Sequence, residues 1–287
     1  MEDVLQTLDF SKPSQSPVYD PAAATAFFEK AGAAESAEAG KVFFTERQRR
    51  AFFSADDRMY LLLEGTVTLS VGGKSIDTVH PGEIFGEMAT ITNSPRSATA
   101  TAKTACRVIA LDGGQFQKGI QKTPAFALML MSIMIDRLRL TLARATMQKA
   151  LPEKSAVDER RVFDDKTLDE IASRLGNPAL MRYTAGQTIV NAGEPGVLMY
   201  LPREGHVVIT AEGRTLERVG VGGVFGEMAL VSRTTRAASA VAETECALIA
   251  VNRSQLRQLV QANPDFGLSL LKLVAKRLQA VTIQISK

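Results

Sequence analysis

The sequence predicts a mixed α and β protein made of two tandem β-rolls, each with flanking helices. Short apolar runs such as Val67–Val71 are separated by glycine and proline turns, which is typical of rolls and barrels. The second half repeats the first at an offset of 140 residues, since Gly226 matches Gly86 (226 − 86 = 140), and this indicates a duplicated domain. The segments from Pro124 and Pro264 predict a long helix after each roll, because proline is favoured in the first helical turn.

The composition is that of a globular protein and does not indicate a secreted, membrane or nucleic-acid-binding class. The chain has 287 residues, enough for two domains, and its 45% hydrophobic and 23% charged fractions are those of a globular protein. A formal charge of +3 is too small to indicate nucleic acid or a membrane surface. Residues 1–10 lack the basic start of a signal peptide, and the longest apolar run, 125–135, is shorter than the roughly 18 residues of a membrane span. Cys106 and Cys246 fall at equivalent positions of the repeats, one in each, so we expect a cytoplasmic protein without a disulfide framework.

One motif, present twice, is the most specific feature of the sequence. It is Phe-Gly-Glu-Met-Ala with an arginine ten residues after the glycine. Its members in the first repeat are Phe85, Gly86, Glu87, Met88, Ala89, Arg96, Ser97 and Ala98, and those in the second are Phe225, Gly226, Glu227, Met228, Ala229, Arg236, Ala237 and Ala238. The glycine, the acid and the arginine are kept in both copies, so the sequence predicts the same site twice.

The residue types of this motif suit a ribonucleotide with one phosphate. Glycine allows a close approach of backbone to a ligand, and a short helical turn that begins there directs free N–H groups towards an anion. The arginine can hold a phosphate through two parallel charge-assisted bonds. The carboxylate would be repelled by phosphate and needs a neutral donor, for which a ribose hydroxyl is the obvious candidate.

Both copies resemble the phosphate-binding cassette of cyclic-nucleotide-binding domains, the module of catabolite activator proteins and of protein kinase A regulatory subunits. The family pattern of Phe-Gly-Glu-Met-Ala, a spacer and Arg-x-Ala-(Ser or Thr) is met twice, and the resemblance extends from about Gly40 to the end of the chain. It implies a double-stranded β-helix, jelly-roll-like, with a C-terminal lid helix. It also implies that the cassette backbone and Arg96 or Arg236 hold the cyclic phosphate, with Glu87 or Glu227 on the ribose 2′-hydroxyl.

The residue after the arginine often sorts the purine in this family. A threonine there can hydrogen-bond the guanine amino group, whereas alanine offers no such contact. Ala237 therefore points to cAMP in the second site, while the hydroxyl of Ser97 could serve guanine or the phosphate. We expect one cAMP in each domain, with cGMP left open at the first site.

Four segments follow from the order of these signals. We expect an arm with a short helix in 1–39, a first domain in 40–151, a linker in 152–166 and a second domain in 167–287. Asp20, followed by proline, predicts the start of the arm's helix. The strands and helices predicted from pattern and turn residues are Gly40–Phe44, Met59–Val71, Ala98–Ala102, Cys106–Leu111, a helix from Pro124 to about Ala150 that Pro152 ends, a helix over Thr167–Leu175 closed by Gly176-Asn177-Pro178, and strands from Arg182.

The two repeats differ before the Met-Tyr pair. With Phe44 matched to Val190, the first repeat has six extra residues and is expected to lack the turn at Asn191–Glu194. It carries instead the basic hexamer Arg47–Phe52, which resembles the inhibitor segment of a kinase regulatory subunit. In that family the segment precedes the domains, so a solvated loop is the favoured interpretation.

No catalytic arrangement is visible in the sequence. No serine, cysteine or acid pair is arranged for hydrolysis, and His80 and His206 lack ligand-spaced neighbours for a metal. We therefore expect a receptor that is not an enzyme. The helices from Pro124 and Pro264 are its candidate lids, and neither has an aromatic beyond its first turn, so an aliphatic or arginine cap on the base is expected.

Three functions remain open at this stage. The first, which we favour, is a cAMP receptor whose lid movement regulates an unidentified effector protein. The second is the regulatory subunit of a cyclic-nucleotide-dependent kinase, for which residues 1–39 contain no Arg-Arg pair. The third is a structural protein with idle sites. We expect no DNA-binding helix-turn-helix after the second lid helix and no membrane span, and helix-mediated homodimerisation is left open.

Overall fold

The structure is a computed structural model that describes residues 18–47, 58–147, 161–176 and 180–285, with residues 144–147 and 283–285 described by their backbone alone. Contacts divide the chain into two compact units. Residues 1–134 and 274–280 form the first, and residues 135–273 and 281–287 form the second. Several predictions lie outside the described residues. These are the arm before residue 18, the basic hexamer beyond Arg47, the helix stop at Pro152, the linker before residue 161 and the Asn177-Pro178 pair.

The first repeat folds into two four-stranded antiparallel sheets, ordered β1-β8-β3-β6 and β2-β7-β4-β5. Its elements are α1 Pro21–Ala31, β1 Ala33–Ala37, β2 Val42–Phe44, β3 Arg58–Glu64, β4 Val67–Val71, β5 Lys74–Val79, β6 Ile84–Phe85, α2 Glu87–Thr92, β7 Thr99–Ala102, β8 Cys106–Asp112, α3 Gly113–Lys122 and α4 Ala125–Met147.

The second repeat has the same plan, with sheets ordered β11-β15-β9 and β10-β14-β12-β13. Its elements are α5 Asp165–Arg174, β9 Met181–Tyr183, β10 Thr188–Val190, β11 Leu198–Glu204, β12 Val207–Ala211, β13 Arg214–Val219, α6 Glu227–Ser232, β14 Ser239–Ala242, β15 Cys246–Asn252, α7 Arg253–Ala262 and α8 Pro264–Ile285. A β-bridge between Tyr200 and Phe225 takes the place of the β3–β6 pairing. The predicted mixed fold of two tandem rolls with flanking helices is confirmed.

Each roll is packed around an aromatic pair that joins its core to the motif. Tyr60 stacks on Phe85 at a centroid distance of 5.0 Å, and Tyr200 stacks on Phe225 at the same distance. All four side chains are buried, and offset stacking of this kind adds to the free energy gained from burial. The two phenylalanines directly precede Gly86 and Gly226, so the core fixes where each motif begins.

Local signals explain most of the element boundaries. The carboxylate of Asp20 accepts from the amides of Ala22 and Ala23, as predicted for the N-cap of α1. Gly72 and Gly73 both have positive φ angles and form the predicted hairpin turn between β4 and β5.

Among the described residues, no helix has the length and apolar character that a membrane crossing requires.

Two boundaries differ from the sequence prediction, and two helices were not predicted. Strand β1 lies inside the segment expected to be only an arm and helix, because Ala33–Ala37 pairs with β8 along its whole length. Helix α5 begins two residues earlier than predicted, since Asp164 rather than a later residue caps it. Helices α3 and α7 were not predicted. Helix α3 was missed because it begins with two glycines, which disfavour helix formation, although Asp112 and Gln115 form a capping box there.

The expected loss of a turn in the first repeat is wrong. The amide of Arg47 donates to the Arg96 carbonyl at 2.8 Å, and the amide of Gly193 donates to the Arg236 carbonyl at 2.9 Å. Arg47 adopts a positive φ of 59° where Gly193 has 85°. The first repeat therefore keeps this hydrogen bond and this backbone conformation at Arg47, the residue that the match of Phe44 to Val190 pairs with Gly193. The sequence concealed the turn because an arginine stands where the second repeat has a glycine.

Candidate functional site

Each motif begins with a glycine in the left-handed region, followed by a six-residue helix. Gly86 has φ 76° before α2, and Gly226 has φ 80° before α6. The helices end at Asn93 and Arg233, which are also left-handed and donate their amides back to the alanine of the motif. The predicted short helical turn at each glycine is confirmed. Such a turn presents the amides of its first residues at one end.

The two arginines are buried and held by backbone carbonyls. Arg96 is 5% exposed and Arg236 is 6% exposed. Arg96 Nη1 donates to the Gly86 carbonyl at 2.8 Å, and Arg236 Nη1 donates to the Gly226 carbonyl at 2.9 Å. Their Nη2 atoms donate to the carbonyls of Arg58 and Leu198, at 2.9 and 2.7 Å. Two bonds to the rigid backbone fix the plane of each guanidinium before any ligand arrives, and such pre-organisation lowers the cost of binding.

Glycine is required at these positions for a second reason. A β-carbon at position 86 would lie 3.1 Å from Arg96 Nη1, and one at position 226 would lie 2.6 Å from Arg236 Nη1. The guanidinium of Arg236 thus occupies the space that a side chain at position 226 would fill, whereas at position 86 the ring of Phe44 lies nearer still, at 2.8 Å. The glycine, the arginine and the ten-residue spacing between them are one structural unit.

The acids of the two motifs are buried as well. Glu87 is 3% exposed and Glu227 is 1% exposed. A buried carboxylate needs hydrogen bonds or a charge partner. Burial lowers the pKa of the Arg236 guanidinium, and the nearby Tyr200 and Glu227 oppose this in part. Each site therefore combines a buried cation with a buried anion.

The remaining motif residues fall into three groups by exposure. Phe85, Phe225, Ala89, Ala229 and Ala98 are buried, Met88, Met228 and Ala238 are half-buried, and Ser97 and Ala237 are exposed. The two residues expected to sort the purine thus have accessible side chains. Their roles, like those of the other motif residues, stay predictions.

Aromatic neighbours distinguish the two sites. The guanidinium carbon of Arg96 lies 4.1 Å from the ring centroid of Phe44, whereas that of Arg236 lies 6.0 Å from the ring of Tyr200. A cation over a ring face is attracted to it electrostatically. Burial raises the pKa of Tyr200, and the nearby Tyr183 contributes in the same direction. The two arginines therefore lie in different electrostatic surroundings.

Sequence reasoning missed the groups that position the arginines. The carbonyls of Arg58 and Leu198 lie 38 residues from the arginines they bind. No side-chain signal could have found them, because every residue carries a carbonyl. Phe44, at the end of β2, gave no local signal either, because four strands separate it from Gly86 of the motif. Among the described residues, no group of three or more His, Cys, Asp or Glu side chains could hold a metal ion.

This arrangement suits a small ligand that carries one anionic group and hydroxyls. A fixed guanidinium and a turn of amides favour an anion, while a carboxylate favours hydrogen-bond donors.

Comparison with known proteins identifies the repeated segment. The sequence model of the family described as "Cyclic nucleotide-binding domain" matches residues 36–123 and 180–263, which together make up more than half of the chain. Among curated proteins, the cAMP-dependent protein kinase regulatory subunit of Eremothecium gossypii is 25% identical over 205 residues, which cover 71% of this chain and 40% of that protein. That of Yarrowia lipolytica is 26% identical over 71% of this chain and 49% of its own length. The cGMP-dependent protein kinase of Toxoplasma gondii is 24% identical over 70% of this chain and 18% of its own length.

Solved structures give similar matches. The regulatory domain of Toxoplasma gondii PKA with cAMP is 22% identical, with 82% of this chain and 84% of that chain covered and a TM-score of 0.30. The catabolite activator protein of Thermus thermophilus is 30% identical, with 43% of this chain and 59% of that chain covered and a TM-score of 0.38. The chain spans less than half the length of the curated relatives named above.

Proposed function

The chain belongs to the cyclic nucleotide-binding domain family, and on that premise we propose that each repeat binds one molecule of cAMP. The observation that carries this proposal is that both motifs bury an arginine and an acid. Arg96 with Glu87, and Arg236 with Glu227, are at most 6% exposed. Burial of ionisable groups costs free energy, and an arginine and a carboxylate are the side chains that bind an anion and a hydroxyl donor.

We assign the groups of each site by their chemistry. The guanidinium of Arg96 or Arg236 binds the cyclic phosphate, together with the amides that follow Gly86 or Gly226. The carboxylate of Glu87 or Glu227 accepts from the ribose 2′-hydroxyl. Phosphate is placed on the arginine because only a cation offsets its charge after desolvation.

The second site is proposed to prefer cAMP, because the exposed side chain of Ala237 offers guanine no hydrogen-bond donor or acceptor. Ser97 is also exposed, and its hydroxyl leaves cGMP as an alternative ligand at the first site. The ligand-binding domains are proposed to be residues 40–151 and 167–287, after an arm in 1–39 and with a linker in 152–166.

The output of binding is movement of the helices that follow each roll, α4 and α8, which regulates a partner protein in the cytoplasm. The chain acts as a receptor without catalysis of its own. Two of the curated relatives are regulatory subunits of cAMP-dependent protein kinase. A protein-kinase catalytic subunit is therefore the first partner to test, by asking whether cAMP changes its capture by the purified chain.

The binding proposal is tested by calorimetric titration of cAMP and cGMP into the purified protein and into Arg96→Ala and Arg236→Ala. We expect two cAMP sites in the parent protein and the loss of one in each variant, because removal of a charge-assisted phosphate contact costs about 2–5 kcal/mol. Arg182→Ala is the matched control, since its side chain is 70% exposed and pairs only at the surface with Glu204. No titration by either nucleotide, or equal loss in the control, contradicts the proposal.

A further inference from the structure

A side chain of helix α4 supports the segment that carries the second phosphate arginine. Arg139 Nη1 donates to the carbonyl of Thr235 at 2.9 Å, and Thr235 directly precedes Arg236. Both residues belong to the second compact unit. Arg139 is half-buried, and burial lowers the pKa of its guanidinium. A cation removed from water in this way needs an acceptor, which the carbonyl supplies.

The first repeat has a related contact, made by a different side chain to a hydroxyl group. Gln279 in α8 occupies the position equivalent to Arg139 (279 − 139 = 140), and its Nε2 donates to Ser94 Oγ at 3.0 Å. Ser94 lies two residues before Arg96, and both members of this pair belong to the first compact unit. A long helix therefore places an N–H donor against the residues that lead into each phosphate arginine.

Inside the cassettes, the hydroxyl groups differ. In the first repeat, Thr92 Oγ1 donates to the Met88 carbonyl and also contacts Ser94 Oγ at 2.6 Å, so the hydroxyls support one another. In the second repeat, the hydroxyls of Ser232 and Thr234 are buried, and neither has a hydrogen-bond partner in the part of the chain that the structure describes. The segment that leads into Arg236 thus lacks this internal support.

Backbone bonds hold the opposite side of Arg236. Its amide donates to the Glu194 carbonyl at 2.8 Å, and its carbonyl accepts from the Gly193 amide at 2.9 Å. The peptide between Thr235 and Arg236 is therefore fixed by the turn before β11 and by the side chain of Arg139. A side chain whose backbone is fixed on both sides has less freedom to leave its binding position.

We propose that Arg139 is a positioning residue of the second site, which holds the Thr235–Arg236 peptide so that Arg236 is oriented for the cyclic phosphate. Gln279 has the corresponding role for Arg96 through Ser94. This inference rests on the proposed function. It assigns to the long helices a part in building the sites, in addition to their part in the output.

The test separates the two sites by working in single-site backgrounds. In Arg96→Ala protein, where only the second site is expected to bind, cAMP is titrated with and without Arg139→Ala. We expect affinity to fall about tenfold, the effect of one lost charge-assisted hydrogen bond. Arg139→Gln places in α4 the donor that α8 carries, and we expect it to recover most of the affinity. In Arg236→Ala protein, Arg139→Ala should leave the first site unchanged, whereas Gln279→Ala should weaken it.

A readout without nucleotide distinguishes positioning from general stability. We expect Arg139→Ala to speed hydrogen exchange of the Arg236 amide in the ligand-free protein more than that of the Tyr200 amide, which donates to the Phe225 carbonyl in the same unit. The inference is overturned if the parent protein binds cAMP and Arg139→Ala changes neither the affinity nor this exchange. It is also overturned if both sites weaken equally. Absence of cAMP binding by the parent protein overturns the proposed function, and this inference with it.

Discussion

Gly226 lies so close to Arg236 that a β-carbon on the glycine would come within 2.6 Å of the guanidinium Nη1. Real β-carbons do not approach other atoms this closely, so a side chain at position 226 must displace the arginine. The same contact in the first repeat, between Gly86 and Arg96, is 3.1 Å. In the second motif the absence of a side chain at Gly226 thus leaves room for the cation, in addition to allowing the backbone conformation.

This relationship predicts the effect of Gly226→Ala. We expect the variant to lose cAMP binding at the second site and to lower the free energy of unfolding by about 1–2 kcal/mol, the usual cost of a non-glycine residue in the left-handed region. Calorimetric titration and urea unfolding measure the two effects. Gly213→Ala is the matched control, because Gly213 also has a positive φ, of 76°, and a β-carbon there meets nothing within 4 Å. Equal cAMP binding by the two variants would show that backbone strain alone matters.

The left-handed Arg47 predicts a stabilising substitution. Its φ of 59° strains an ordinary residue, and its partner in the second repeat is a glycine. We expect Arg47→Gly to raise the free energy of unfolding by up to about 1 kcal/mol, because the strain it removes exceeds the added freedom of the unfolded chain. The mirror variant Gly193→Ala should be destabilising by a similar amount. Urea unfolding of both tests this, and a loss of stability in Arg47→Gly would contradict it.

A second arginine ties the motif helix of the second repeat to α7. Arg253 Nε donates to the carbonyl of Leu230 in α6 at 3.1 Å, and the equivalent residue of the first repeat is Gly113. We expect Arg253→Ala to lower the free energy of unfolding by about 1.5 kcal/mol, the lower end of what a hydrogen bond to a charged group contributes. Arg257→Ala, on the exposed face of the same helix, should change stability by less than about 0.5 kcal/mol. Equal effects of the two substitutions would show that the bond contributes nothing.

The buried tyrosine of the second site predicts a dependence on alkaline pH. Burial raises the pKa of Tyr200 above its ordinary value of 10.0, so the folded protein keeps the phenol neutral where the unfolded chain ionises. Its contribution to stability is complete below about pH 10 and is lost as the pH rises through the folded value. We expect the fall in unfolding free energy above pH 10 to be less steep in Tyr200→Phe. Urea unfolding between pH 7 and 11 measures it, and an unchanged slope would exclude Tyr200 as a contributor.

Prediction from sequence succeeded where the signal is local. The glycine, acid and arginine of each motif lie within eleven residues, and the turns at Gly72-Gly73 and Asp20 depend on neighbours along the chain. It failed where the two repeats adopt the same backbone conformation with different residues. Arg47 has the left-handed conformation that Gly193 has in the second repeat. Helix α3 was missed because it begins with two glycines, although its capping box is present in the sequence.

The sequence by itself determined that the chain is a duplicated roll and which side chains carry opposite charges in each motif, because short-range patterns specify turns, strands and spacing. Only the tertiary structure decided what holds those charges in place. The carbonyls of Arg58 and Leu198 bind the arginines from 38 residues away, and Arg139 reaches Thr235 from 96 residues away. Such contacts use groups that are common to all residues or isolated in sequence, so only the folded chain brings them together.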